Sequence, residues 1–581
     1  MPLTTRGDDD THSSSGEVDG SAGPAADPLV RPRPWWVWAA PFAAMLTVLL
    51  VRNAFLFSRP EYESADMAAN SILIEQARRF TLLVGNYSRE GFNHPGPAFL
   101  YVESWGESIF WALLRVVPTP WNGQLIGLYL LNAAFAACVV AVVYGWTRSA
   151  RGVLAAGAVL ALFGLLHPAV FNSDWMPYVY VPAFLAFVVS LASASAGRSA
   201  DAWIATLSGW FLIHGHAAFL VLVPAMVAVP VAVRRREFMR ALRTRRRVWL
   251  PVVVISAAFA LPLILQWALI GPGNFEAYLA YQSGGQAGGH SLAQVAGYVL
   301  WFWWPHANAW AAPLILALAA GLLTGRLPSG PARRFCCSLL IFDALSVAAV
   351  AGYVVVGVDE VNQYYICYVS WVNPVVLVLV SVIAMAELIA LAGRGKAAGA
   401  GIRLARAARW PGRAGLAVTA AAAVAAWWAF AVAPATQLTT VSVDPENPRA
   451  GFSTDAMLPA GVAAMGARAA GRTIVLTFPH SAWPTVTGIL VQAERTGVRA
   501  CVADRHWKFM MTSQFICTPA QLAGGYQMSV YPTGEQPRGV TAVARFPGAV
   551  AAASGARMQP NDLNRHQLAL HDDLSPTIVT T

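Results

Sequence analysis

The sequence predicts a polytopic α-helical membrane protein of about eleven transmembrane helices, carrying a C-terminal extracytoplasmic α/β domain. Three observations carry that prediction. Of the 581 residues, 56% are hydrophobic and only 12% charged, against about 25% charged in a soluble domain. The apolar residues gather in runs of about 20, the length that crosses a hydrocarbon core of roughly 30 Å. Short basic blocks separate those runs, and after Pro434 the pattern changes to alternating strand and helix signals.

Taken in chain order, residues 1–34 are polar and low in complexity, from Asp8-Asp9-Asp10 and Ser13-Ser14-Ser15 to Arg31-Pro32-Arg33-Pro34. They hold too little apolar surface to fold and are expected to be a disordered cytoplasmic N-terminus. The first apolar run begins only at Trp35, too late and too long for a cleaved signal peptide. Spans are expected at 35–57, 122–147, 153–171, 176–197, 202–216, 218–233, 249–270, 307–325, 335–357, 367–392 and 414–434, with 202–216 and 218–233 forming a tight hairpin. Arg52 lies inside the first of these, where a charge is costly, and is expected to face a cavity or snorkel outward.

Charge placement orients the chain. With a cytoplasmic N-terminus, the inner loops carry Arg148 and Arg151, the 234–247 cluster, Arg326 with Arg333 and Arg334, and the basic segment 394–413. The outer loops carry the acids Asp174, Glu276, Asp359 and Glu360. This is the positive-inside pattern. The net charge of +10 therefore reads as orientation signal, and nucleic acid is not an expected partner. Residues 97–117 are apolar but contain Glu103, Glu107 and Arg115, and counting them as a span would invert every later loop. They read as an interfacial or re-entrant pair of helices anchored by Trp105 and Trp111, so 58–121 forms one long outer loop within the transmembrane domain 35–434.

The domain 435–581 begins its regular pattern with a strand at Thr473–Phe478, an amphipathic helix from Thr485 to Arg495, and a strand at Val498–Val502. Strands at Tyr526–Val530 and Thr541–Phe546 follow. With an odd number of spans this domain lies outside, where disulfides form, and its two cysteines, Cys501 and Cys517, are expected to pair. Cys138, Cys336, Cys337 and Cys367 lie in or beside spans and read as packing residues.

The chemistry-bearing residues cluster in the first outer loop. Arg59-Pro60-Glu61-Tyr62-Glu63-Ser64-Ala65-Asp66 places three carboxylates within six residues at the membrane surface. In a helix, Glu63 and Asp66 would be i, i+3 neighbours. Two readings fit the spacing. Crowded carboxylates at a low-dielectric boundary have raised pKa values and serve as general bases; equally, acids at the start of a helix 63–79 complement its dipole. Farther along, Gly85-Asn86-Tyr87-Ser88-Arg89-Glu90-Gly91-Phe92-Asn93-His94-Pro95-Gly96-Pro97 is a turn segment in which a cation and exposed N–H groups suit a phosphate.

These residues carry a resemblance. The acid at the membrane edge followed by Gly-x-Tyr-Ser-Arg-x-Gly-x-x-His-Pro-Gly-Pro resembles the first outer loop of bacterial GT-C-type integral membrane glycosyltransferases and their relatives. Trp210-Phe211-Leu212-Ile213-His214-Gly215-His216 is similar to that group, as is Leu261-Pro262 through Gln266 to Pro272-Gly273-Asn274. The resemblance covers about residues 35–390. It implies a GT-C-like fold in the bacterial inner membrane, a polyprenyl-phosphate sugar donor, and inverting transfer on the outer face, either metal-independent or assisted by a divalent metal. The acceptor would be an envelope glycan, lipid or protein. It implies Asp66 as the base, with Glu63 second, and Arg89, His94, Asn93 and Tyr87 toward the donor phosphate. Asp174, His214 and His216 would lie at the cavity mouth.

No metal set is assigned. Helical residues two apart point in different directions, so His214 and His216 read first as packing or a single phosphate contact. The loop Gly284-Gly285-Gln286-Ala287-Gly288-Gly289-His290 reads as a lid over the donor or as a linker. Two other functions compete. A transporter or flippase would show internal repeats and ionisable residues at mid-membrane; no repeat is evident, and the ionisable residues cluster at loops. A non-catalytic envelope protein would retain the fold without the base.

Overall fold

The computed structural model describes residues 32–88, 90–233, 235, 246–283, 289–303, 311–393, 412–432, 457–532, 542–546 and 549–553. Helices account for most of it: α1 (Trp36–Arg52), α2 (Ala65–Arg78), α3 (Ala98–Gly106), α4 (Pro120–Thr147), α5 (Ala150–Leu166), α6 (Ala169–Asn172), α7 (Met176–Ser195), α8 (Ala202–Gly215) and α9 (Phe219–Val233). There follow α10 (Arg246–Ile270), α11 (Gly273–Ser283), α12 (Leu292–Trp301), α13 (Ala311–Arg326), α14 (Pro331–Gly357), α15 (Val372–Gly393) and α16 (Gly412–Val432). The described part of each expected span is mainly helical. Five helical stretches, Pro120–Thr147, Met176–Ser195, Trp249–Ile270, Pro331–Gly357 and Tyr364–Leu391, are individually long and apolar enough to cross a membrane. The protein is a helical membrane protein.

The main core centres on α4 and α7, which are largely covered by neighbouring helices, while α10 turns most of its surface outward. That asymmetry suits a helix facing lipid. Helix α3 is short and runs into a π-helical turn, Glu107–Leu113, rather than continuing as one apolar helix. A Cβ on Gly106 would stand 2.5 Å from the Gly123 carbonyl oxygen and 2.8 Å from Gly127 Cα of α4. Glycines at this crossing bring the two backbones together. Glu103 and Glu107 are thereby buried, while Trp105, Leu113 and Leu114 stay exposed.

The C-terminal unit begins with α17 (Met457–Ala469) and contains α18 (Trp483–Thr496) against a five-stranded sheet ordered β2-β1-β3-β5-β4. Strands β1 (Ile474–Thr477), β2 (Ala500–Val502) and β3 (Tyr526–Pro532) are parallel, with Ile474 opposite Ala500 and Tyr526. Strands β4 (Ala542–Phe546) and β5 (Ala549–Ala553) are antiparallel to each other, and β5 is antiparallel to β3. Cys501 and Cys517 are joined, with Cα atoms 5.0 Å apart. This unit is not separate from the loop before it: Ala68, Ala69 and Ile72 of α2 share its apolar core with Val486, Ile489 and Leu490.

Several expectations are corrected. Arg52 neither faces a cavity nor snorkels; it is buried, donates to the Phe430 carbonyl at 2.8 Å and lies over the Phe430 ring. A cation at the C-terminal end of α16 also complements that helix's dipole. The short apolar helix α12 stands where only a loop was expected. Strand β5 was not foreseen. Ionisable groups are not confined to loops, because Asp343 is buried midway along α14 and its Oδ1 has no hydrogen-bond partner. The basic segments 236–245 and 394–411, the N-terminal 31 residues and the 284–288 part of the expected lid lie outside the described residues.

Candidate active site

Asp66 sits in the first turn of α2. The preceding residues are extended: Ser64 has ψ 176° and makes no side-chain cap, and Ala65 has φ +53°. A left-handed alanine costs about 1–2 kcal/mol, so surrounding contacts must hold this turn. Glu63 consequently lies outside the helix and does not share a helical face with Asp66.

The two carboxylates have different surroundings. Asp66 is half-buried, accepts the Tyr87 hydroxyl at Oδ1, and accepts Trp175 Nε1 at Oδ2 at 2.7 Å. Burial raises its pKa above the ordinary carboxylate value; the Tyr87 and Trp175 hydrogen bonds oppose that rise. Each carboxylate oxygen offers two lone-pair sites, so both bonds leave Asp66 able to accept a further proton. Glu63 is fully buried, paired with Arg495 of α18 at 2.6 Å, and accepts Ser71 Oγ at 2.6 Å.

Other acids ring this point. Glu61 pairs with Arg59 at 3.1 Å, yet burial pushes it up to about 7. Asp174 accepts Trp121 Nε1 at 2.6 Å and is likewise pushed up to about 7 by burial. Glu103 is 1% exposed with neither oxygen hydrogen-bonded. Burial, reinforced by Asp174, Glu63 and Glu107, holds it well above the ordinary value.

A histidine layer lies alongside. Gly96 N–H donates to the His214 carbonyl at 3.0 Å, which seats the His94-Pro95-Gly96 turn on the end of α8. His94 is buried, accepts Ala217 N–H at Nδ1 at 3.3 Å, and its ring centroid is 4.3 Å from that of His216. Burial, then His216, holds His94 well below the ordinary imidazole value. Neutral His94 with Nδ1 accepting carries its proton on Nε2. His214 is tied by Nε2 to the Phe259 carbonyl at 2.8 Å. Asn93 is locked by Asn274, whose Nδ2 donates to its carbonyl at 2.7 Å, and by the Tyr278 hydroxyl at 2.5 Å.

The three separated segments singled out in the sequence therefore meet here. Tyr87 meets Asp66 rather than standing free, and Arg89 lies outside the described residues. A small pocket, with free space of only about 10 Å³, lies beside His216, lined also by Tyr180, Leu222, Tyr353 and Tyr365. The Tyr365 ring is 5.4 Å from Trp175, which links the pocket to Asp66. Among the described residues, no three His, Cys, Asp or Glu side chains are arranged to hold a metal ion. Trp175 and Arg495 were missed by sequence reasoning. The acid–aromatic pair Asp174-Trp175 was a usable signal for the first; nothing local marked the second.

No protein-family model and no curated protein matches the sequence. Among solved structures, one similar chain is ArnT from Cupriavidus metallidurans in the apo state, with a TM-score of 0.52. The fold resembles that of ArnT. The match covers 89% of this chain and 97% of ArnT at 13% identity, so the likeness is one of fold. That coverage exceeds what residues 1–434 can supply, and the ArnT likeness accordingly extends into the C-terminal unit as well as the membrane helices.

Proposed function

We propose that the protein is a membrane glycosyltransferase that moves a sugar from a polyprenyl-phosphate donor to a cell-envelope glycan, lipid or protein on the outer face of the membrane. The observation that carries this reading is Asp66: a half-buried carboxylate fixed by hydrogen bonds from Tyr87 and Trp175. ArnT is a GT-C glycosyltransferase, which supports the same reading. Asp66 takes the proton of the acceptor hydroxyl as its oxygen attacks the anomeric carbon. The bond from that carbon to the phosphate oxygen breaks, and polyprenyl phosphate leaves with the electron pair and inversion at carbon. His94 Nε2–H donates to the leaving phosphate. Glu63, spent on Arg495, positions rather than reacts.

A second reading has one specific observation behind it. Asp343, buried within a span with a free oxygen, is the kind of group a transporter uses. One experiment separates the two. Asp66→Asn should accumulate normally in membranes and lose transfer from polyprenyl-phosphate sugars by about 10²–10⁴-fold, the range of a general base. Full activity in that variant removes Asp66 as base. An unaltered protein that transfers no sugar yet carries lipid-linked sugar across vesicle membranes establishes the transporter.

A further inference from the structure

The C-terminal unit touches the outer loop at the three residues immediately before Asp66. Arg495 Nη2 pairs with Glu63 Oε1 at 2.6 Å. Thr487 Oγ1 lies 3.3 Å from the Ala65 carbonyl oxygen, and 2.9 Å from the Pro484 carbonyl of its own helix. Gly488 lets α18 approach so closely that a Cβ there would stand 3.0 Å from the Glu63 carbonyl oxygen and 3.6 Å from Ser64 Cα. A fourth contact falls on the other side of Asp66, where the Phe509 ring meets Tyr87 edge-on at 5.8 Å. These contacts grip both the turn that carries Asp66 and the tyrosine that bonds it.

The grip continues into the membrane. Ser71 donates to Glu63 and also lies 3.3 Å from Gln124 Oε1 of α4. Gln124 Nε2 donates to Glu107 at 2.8 Å, and Arg78 pairs with Glu107 at 2.9 Å. Glu63 is fully buried, so losing Arg495 would leave an uncompensated charge, which the chain relieves by moving the turn. The left-handed Ala65 has no glycine freedom to make its conformation inexpensive, and depends on those same contacts.

We propose that the C-terminal domain acts as a clamp that sets the position of Asp66, with Arg495 as the positioning residue that closes it through Glu63. The clamp rests on the reading of Asp66 as base. It makes the soluble domain part of the reacting assembly rather than an appended binding module.

The test uses the full-length protein in membranes or detergent. Arg495→Ala should accumulate with its disulfide intact and raise hydrogen exchange in residues 61–72 by about tenfold, while the β1–β3 strands keep their protection. Its kcat should fall on the order of a hundredfold with donor KM within about twofold, because a misplaced catalytic group costs rate rather than binding. Arg495→Lys should recover part of the loss. Glu63→Gln combined with Arg495→Ala should be no worse than Arg495→Ala alone, as expected for one coupled pair. If Arg495→Ala does not accumulate, Thr487→Val gives the same two readouts at smaller size. Unchanged exchange, or faster exchange with unchanged kcat, overturns the clamp. Should the unaltered protein transfer no sugar, the proposed function falls, and the exchange data alone still decide whether the domain holds the turn.

Discussion

Asp66 is poised by opposed effects. Burial raises its pKa, while Tyr87 and Trp175 stabilise the charged form and lower it. A base works only when deprotonated, so transfer should fall as pH drops through the pKa of Asp66, at a higher pH than an ordinary carboxylate would give. Tyr87→Phe removes one of the lowering bonds. The acid limb of kcat/KM should therefore move to higher pH, with the plateau at high pH reduced less than in Asp66→Asn; an unmoved limb would show that Tyr87 does not tune the base. That Asp66 would stand in the first turn of a helix just past the first apolar run was legible in the sequence. The roles of its neighbours were not. Spacing placed Glu63 on a shared helical face, but the chain enters α2 extended, and Glu63 points instead to an arginine far along the sequence. Only tertiary structure decides where such a side chain goes.

The histidine layer is a meeting of two turns. The His94-Pro95-Gly96 turn presses on the end of α8, and a Cβ at Gly96 would stand 2.4 Å from His214 Nδ1, in a ring that the Phe259 carbonyl holds in place. Gly96→Ala should therefore displace both histidines, raising donor KM and lowering transfer by about tenfold or more. Gly297→Ala, whose Cβ would meet open space in α12, should leave both constants unchanged. Kinetics of the two variants at equal membrane content check the prediction, and equal behaviour would refute it. At this scale the helices were legible because apolar runs of span length allow few other structures. What escaped was short or weakly patterned. Helix α12 has ten residues and sat inside an expected loop. Strand β5 is nearly all alanine, a residue with no strand preference, and is specified by the edge of β3 that it covers.

Across the whole molecule, the loop 58–121 and the α6–α7 turn gather buried carboxyl groups whose pKa values burial raises. Glu61 and Asp174 are pushed up to about 7, chiefly by burial, with Arg59 opposing at Glu61 and the Trp121 bond opposing at Asp174. A carboxyl whose folded pKa is raised binds more protons in the folded state, so its contribution is fully present below the ordinary carboxylate value. It is lost as pH rises through about 7. The thermal midpoint of the purified protein in detergent should accordingly fall between about pH 5 and pH 8. That direction is the reverse of the usual pattern, in which paired carboxylates lose stability in acid. Asp174→Asn keeps an oxygen to accept Trp121 Nε1 but cannot ionise, and should flatten part of the slope, by an amount on the order of a few kcal/mol at most. A midpoint that rises over this range, or a slope identical in Asp174→Asn, would mean that these acids are solvated and that the loop 58–121 does not close over them. Because Glu63, Ser71, Gln124 and Glu107 join that loop to both the C-terminal domain and α4, ionisation of these acids should loosen the domain as well. Exchange in residues 61–72 should therefore quicken over the same pH interval in which the midpoint falls.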